Sequence, residues 1–423
     1  MKKFFPIILA IILVLCMASC SSKQSEEQTD AKDVIGGANQ NVSQGETGSF
    51  EYQLNAEGKC EIVKYTPNSV KIVDVTLPEK LDGRDVVGIG DSAFKAENSI
   101  KSVKIPATYT YVGNYAFYDC DALTSVEFTG ENLTDIGNSA FQGCNVLTSI
   151  ALPKSVETVG SFAFKDCSSL PAIDLSGSVV SIGEGAFFGC KALKTVGLAD
   201  SIKDINKNAF YGCDVIEYTE EGGALYLGND ANKYLVLVRS VDLNVESCTV
   251  NAATKVIADN AFQNCDRLAT VTLGDAVTEI SASCFDGCTA LTYNESENGN
   301  YLGSASNPYM VLMNLVVPSV EDFTLNAATE IICDEAFTNC LELADIHFAG
   351  TPDEWNAILR IENWNNGRLE IQYENCEEVE AVPYDMMISG ADSWINRFRR
   401  LLRLITRRYR SFRSEVAKRP PSS

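Results

Sequence analysis

The side chains best equipped for chemistry in this chain of 423 residues are its 15 cysteines, against a single histidine. Eight of them, Cys120, Cys144, Cys167, Cys190, Cys213, Cys265, Cys288 and Cys340, each lie three residues after a phenylalanine. Metal sites draw cysteines from C-x-x-C pairs, and none occurs here. If the eight stack on successive rungs they lie roughly 5 Å apart with parallel side chains, which is poor disulfide geometry. The expectation is a ladder of reduced, buried, small apolar thiols. Cys284, Cys333 and Cys376 are left as candidates for an isolated bridge. His347 alone gives a zinc site, or a Ser-His-Asp or Cys-His arrangement, little to draw on. Acidic pairs abound among 57 Asp/Glu, so residue types alone leave a two-carboxylate hydrolase open. There is no P-loop, and a net charge of −23 repels nucleic acid. The expectation is therefore no enzyme, with no catalytic, metal-binding or cofactor-binding residues.

What places those thiols in a row is a repeat. The unit reads A-F-x-x-C-x-x-L-x-x-V-x-L, as in Ala186, Phe187, Cys190, Leu193, Val196 and Leu198. Its phenylalanines are Phe94, Phe117, Phe141, Phe164, Phe187, Phe210, Phe262, Phe285 and Phe337, at intervals of 23 or 24 with two of 52. An aliphatic residue follows each Phe by six positions, from Ile100 to Leu343, and another precedes each by five, from Ile89 to Ile332. Such a period marks a solenoid, because one coil cannot bury its own apolar face. Within a coil, Phe, Cys and the aliphatic residue at i, i+3 and i+6 suit one or two helical turns. A short alternating strand follows, as in Val126-Glu127-Phe128. The predicted fold is a repeat solenoid of α+β leucine-rich-repeat type, with short strands, short helical turns and about 23 residues per coil.

The A-F-x-x-C, L-x-x-V-x-L-P and I-G spacings, over roughly residues 50 to 376, resemble BspA-like leucine-rich-repeat surface proteins of bacteria. That resemblance implies a surface-exposed, non-enzymatic protein that adheres to host matrix proteins or other cells.

Before the repeat, Lys2 and Lys3 precede an apolar run from Phe4 to Met17, which reads as a secretory signal over residues 1–19. Met17-Ala18-Ser19-Cys20 resembles a bacterial lipobox, so Cys20 is the expected lipidation site and membrane anchor. Residues 20–49 read as a flexible tether, and 50–90 as N-terminal capping strands over the open edge. The solenoid spans 91–348. Its two long intervals form one super-repeat of 75 positions, expected to add β-hairpin-like inserts near 217–250 and 292–325. Gly350-Thr351-Pro352-Asp353-Glu354-Trp355 combines a capping box with proline at the first helical position and opens a C-terminal cap over 349–380. Residues 381–423 carry ten Lys/Arg against three Asp/Glu, with apolar residues at helical spacing from Trp394 to Val416. That is a basic amphipathic C-terminal helix, suited to anionic lipid, to docking on the acidic body, or to no role.

Two sets of residues are candidate ligand contacts. The outward positions of the short strands, Lys104, Glu127, Ala151, Asp174, Gly197, Thr272 and His347, should form one continuous flat face. That suits extended protein partners better than small molecules. Tyr226, Tyr234, Tyr301 and Tyr309 of the inserts are the aromatic anchors. The leading expectation is an extracytoplasmic, lipid-anchored protein recognising a host matrix or other cell-surface protein. A structural envelope protein that associates with itself, and a glycan-binding accessory, remain as alternatives.

Overall fold

The computed structural model describes residues 41–333, 336–360 and 370–373. The chain winds as a β-solenoid with two ladders of parallel strands. One ladder is built of two-residue strands, Tyr111–Val112, Asp135–Ile136, Thr158–Val159, Ser181–Ile182 and Asp204–Ile205, headed by Arg84–Ile89. Each contributes one buried aliphatic side chain, such as Val112 or Ile136. The glycine that follows is required by close backbone approach: a Cβ on Gly137 would lie 2.6 Å from the carbonyl carbon of Gly113, and one on Gly160 equally close to Gly137. The other ladder carries the longer strands Val73–Thr76, Ile100–Ile105, Ser125–Phe128 and Ser149–Ala151, then Ala172–Leu175 beside Thr195–Leu198.

The third side of each coil holds the Phe–Cys segment, and it is not helical. The α+β description is corrected on this point. Among the described residues the helices are the α-helix Pro352–Ala357 and the 3-10 helix Ala282–Phe285. The physical reason lies in the backbone two residues either side of each Phe. Those positions are left-handed: Ser92 and Ala96 around Phe94, Tyr115 and Asp119 around Phe117, Phe162 and Asp166 around Phe164, Gly185 and Gly189 around Phe187. A left-handed residue every fourth position prevents right-handed helix and makes a chain of turns instead. Before Phe285 the corresponding Ser283 is not left-handed, and there the 3-10 helix forms.

Alternation also turns every second N–H toward the next coil. Tyr115, Phe117 and Asp119 donate to the carbonyls of Asn138, Ala140 and Gln142 at 2.9, 2.7 and 2.8 Å. The residues between them close local turns, as in Tyr118 N–H to Tyr115 at 3.1 Å. This third ladder brings the phenylalanine rings into register. From Phe94 to Phe210 the centroids are 4.9–5.5 Å apart and the planes within 17° of parallel.

The N-terminal strands Gly48–Leu54 and Cys60–Pro67 extend the first ladder and cap the stack, with Tyr65 lying on Phe94 at 5.3 Å. Order reaches further toward the N-terminus than the expected tether: Asn41–Gln44 pairs antiparallel with Ser49–Tyr52. Backbone pairing there takes the place of apolar burial, since Val42 is exposed. At the other end Thr351 and Glu354 form the expected capping box, and Trp355 packs on Phe348 at 5.5 Å. Leu359–Arg360 and Glu370–Tyr373 then continue both ladders. The described part of the expected cap therefore adds rungs rather than only covering the last coil. The signal segment, Cys20, Cys376 and the basic tail lie outside the described residues.

Each long interval builds an antiparallel hairpin whose last strand starts a new parallel ladder of short strands. Thr219–Glu221 pairs with Ala224–Leu227, which pairs with Val236–Ser240, and Val236–Leu237 then joins Val256–Ile257 in parallel. Asn294–Ser296, Gly299–Leu302, Val311–Leu315 and Ile331–Ile332 repeat the arrangement.

Candidate functional site

The long-strand face places the expected contacts in register. Lys104 lies beside Glu127, Glu127 beside Ala151, Asp174 beside Gly197, and Thr249 beside Thr272. Several pair with each other or with neighbours: Lys104 with Glu127 at 3.0 Å, and Lys154 with Asp174 at 2.7 Å. Burial alone would raise the Asp174 carboxyl. The bonds from Lys154 and Ser176 outweigh it and hold the group at about 2. His347 sits half-exposed beside Thr324, its imidazole 3.7 Å from Asp322. Thr249 and Thr324 belong to the face although their strands fall inside the inserts, where the repeat pattern did not reveal them.

The face is not one continuous sheet, as the outward positions had suggested. Pairing lapses after Ala151 and again at both inserts, where the N–H groups of Leu198 and Leu273 donate to Gly228 and Gly303 at 3.2 and 2.9 Å. Asp345, two positions before His347, is buried rather than part of the surface.

The four insert tyrosines divide. Tyr226 and Tyr301 are fully buried, and their hydroxyls accept from the N–H groups of Asn251 and Asn326 at 3.2 Å. As ligand contacts these two are corrected: they are the hydrophobic centres of their hairpins. Tyr234 and Tyr309 pack edge-on against them at 5.5 and 5.7 Å and stay partly exposed.

The cysteines of the repeat are free thiols, buried except for Cys288 and Cys340, which are half-buried. They do more than fill space. Cys120, Cys144, Cys167, Cys190 and Cys213 each donate to the carbonyl of the Phe one coil back, at 3.0–3.1 Å. Burial pushes the Cys167 thiol up, Cys248 to about 12 and Cys288 to about 11. Such thiols are poor nucleophiles and metal ligands. Among the described residues no group of three His, Cys, Asp or Glu side chains is placed to hold a metal ion.

One feature was not legible in the repeat pattern. At the first insert a cleft of about 610 Å³ opens between the Phe210 turn, the Val238–Leu243 segment and the Asp259–Asn264 turn. In the rung after Phe210, Ser240 stands where a phenylalanine would, its N–H bonded to Ala261 at 2.8 Å. Arg239 lies over the Tyr218 ring at 5.4 Å, and burial pushes the Tyr218 hydroxyl up to about 12. Asp214, Asp242 and Asp259 line the cleft, and Tyr211 at its edge is 63% exposed.

A family model described as "BspA type Leucine rich repeat region" matches in six copies, over residues 87–217, 241–307 and 314–358, more than half of the chain. Among solved structures, a leucine-rich cell surface protein of Faecalibacterium prausnitzii is 24% identical, covering 76% of this chain and 98% of its own, with a TM-score of 0.39. A leucine-rich-repeat protein of T. pallidum is 27% identical over 52% of this chain and 87% of its own, with a TM-score of 0.40. One from Bacteroides ovatus is 20% identical over 78% and 99%, with a TM-score of 0.35. A comparison with curated proteins found no match.

Proposed function

The chain belongs to the BspA-type leucine-rich-repeat family, and we propose that it is a non-enzymatic surface protein that binds other proteins. The observation that carries this reading is the long-strand face. Rows of small and polar side chains, Ser125 with Ser149 and Ala172 with Thr195, lie in register and reach solvent. A flat repeat surface offers area to a macromolecule and no enclosure to a small substrate. Paired charges such as Lys104–Glu127 set orientation and encounter rate more than affinity. The partner in this reading is a host matrix protein or another cell-surface protein. Anchoring belongs to the same proposal, with an acylated Cys20 holding the solenoid outside the cytoplasmic membrane.

The test is capture of immobilised matrix proteins and of other bacterial cells by the full chain. A variant carrying Glu127→Lys and Asp174→Lys should capture about tenfold less. Undiminished capture by that variant removes the strand face from the function. Failure of the unaltered chain to capture any protein or cell removes the binding role.

A further inference from the structure

The cleft at the first insert differs from an ordinary surface groove in what its floor offers. In each coil from Phe94 to Phe187, three N–H groups spaced two residues apart donate to the next coil. In the Phe187 coil they are Gly185, Phe187 and Gly189, bonded to Lys207, Ala209 and Tyr211 at 3.0, 2.8 and 2.8 Å. In the next coil the same three positions are Asn208, Phe210 and Gly212. The local turns there are intact: Ala209 donates to Asn206, Tyr211 to Asn208 and Cys213 to Phe210. The N–H groups of Asn208, Phe210 and Gly212, however, have no acceptor among the described residues. All three residues line the cleft. The following chain segment runs as a hairpin strand, with Arg239 paired to Leu225, and its Leu237 carbonyl accepts from the N–H of Ala258 at 2.9 Å.

We infer that this cleft binds a peptide segment of a protein partner through main-chain hydrogen bonds, completing the interrupted third ladder. The donors occupy alternate residues, and in complete coils their acceptors are alternate carbonyls of one chain, such as Asn138, Ala140 and Gln142. Another peptide laid along the same donors presents its carbonyls with the same period of two. Addition of a strand to an open backbone edge is a recurring mode of peptide recognition, in which the main chain gives affinity and flanking pockets select side chains. The charge of the walls selects the class of peptide. Two carboxylates, Asp214 and Asp242, line the cleft with one cation, Arg239, which lies on the Tyr218 ring. A basic segment fits that balance, and Tyr211 at the edge offers an exposed ring to a Lys or Arg side chain.

This inference rests on the protein-binding reading above and adds to it a place and a chemistry. It is tested with the full chain and phage-displayed random nonapeptides as the probe, followed by amide hydrogen exchange. In the free protein, Asn208, Phe210 and Gly212 should exchange at least tenfold faster than Gly185, Phe187 and Gly189. Enriched peptides should be rich in Lys and Arg and should slow exchange at those three amides alone. Replacing alternate peptide bonds of the ligand by esters, which weakens the acceptors, should cost about 2- to 10-fold in affinity at each site. Tyr211→Ala, at an exposed position, should weaken binding without altering the fold. Protection of the three amides in the free protein overturns the inference. So does a failure to enrich peptides over control phage, or enriched peptides that leave these amides unprotected. Protection by oligosaccharides from a glycan panel instead of by peptides overturns it as well. If matrix proteins are captured while the three amides stay unprotected, the cleft fails and the strand-face reading stands.

Discussion

Phe164→Ala is the perturbation whose size follows most directly from the packing. The ring is fully buried, 5.3 Å from both Phe141 and Phe187, and within 8° and 2° of parallel to them. Truncating such a side chain costs about 3–5 kcal/mol, the two stacking contacts included. In a solenoid each coil contacts only its neighbours, so the cost should appear as local opening around residue 164. The adjacent thiols report that opening: Cys167 lies in the same turn, and Cys190 donates to the Phe164 carbonyl at 3.0 Å. When reclosing outruns the reagent, the labelling rate follows the opening equilibrium. Native-state alkylation at Cys167 and Cys190, read for each cysteine by mass spectrometry, should then accelerate by about two to three and a half orders of magnitude. Cys265 is equally buried but belongs to a separate apolar cluster beyond the first insert, and it should hold its rate. Acceleration below about tenfold at Cys167 and Cys190 would refute the claim that the ring stack holds the coils together. Equal acceleration at Cys265 would refute its local character.

Three further outcomes are expected. Cys20→Ser should move the protein from the membrane to the soluble fraction on cell fractionation, and unchanged membrane retention would refute acylation at that residue. A peptide of residues 394–416 should become helical on anionic vesicles and detach at high salt, whereas equal behaviour on neutral vesicles would remove the lipid role. Asp174 is held at about 2, below its ordinary 3.8. Its contribution to stability is therefore complete above pH 3.8 and is lost as pH falls toward 2. Asp174→Asn should abolish that part of the acid dependence of coil opening, measured by hydrogen exchange at Ile173 and Leu175.

The solenoid was legible because stacking repeats the same constraint in every coil. Ile136, Phe141 and Leu147 each recur at fixed offsets, so one register accounts for the core. The I-G pairs were equally readable, since Gly137 and Gly160 stand where a Cβ would strike backbone. The helical turns were misread for a definite reason. Spacing of i, i+3 and i+6 fits a helix, but it fits a chain of turns as well. The deciding signal sat at the residues two either side of each Phe, where Gly143, Gly189, Gly212, Gly287, Asn208, Asn260 and Asn264 are of the types that accept left-handed backbone. Tyr226 and Tyr301 were misassigned because aromatic content in an insert does not tell a hairpin's own core from a contact surface. The cleft was invisible because the Phe210 turn itself keeps an ordinary sequence, and what changes is the course of the segment after it.

The super-repeat nevertheless holds a clue to why the cleft opens at the first insert. Seventy-five positions on, Val238, Arg239, Ser240 and Leu243 become Met313, Asn314, Leu315 and Pro318. Leu315 is buried in one apolar cluster with Phe337 and Ile332, putting hydrocarbon where Ser240 has a hydroxyl. The Ser240 hydroxyl accepts the Cys265 thiol at 3.3 Å, a bond the leucine cannot replace, although the Asp242 carbonyl at 3.8 Å remains. Ser240→Leu should therefore make the first junction resemble the second. Burying the leucine contributes about 1.5–3 kcal/mol, and losing one thiol–hydroxyl bond costs about 0.5–1.5 kcal/mol. Overpacking would reverse the balance in a filled core, but here about 610 Å³ adjoins the site. Alkylation of Cys265 should slow by about tenfold. If it accelerates instead, Ser240 is held by its polar contact, and the open junction is a requirement of the coil rather than a consequence of one small side chain.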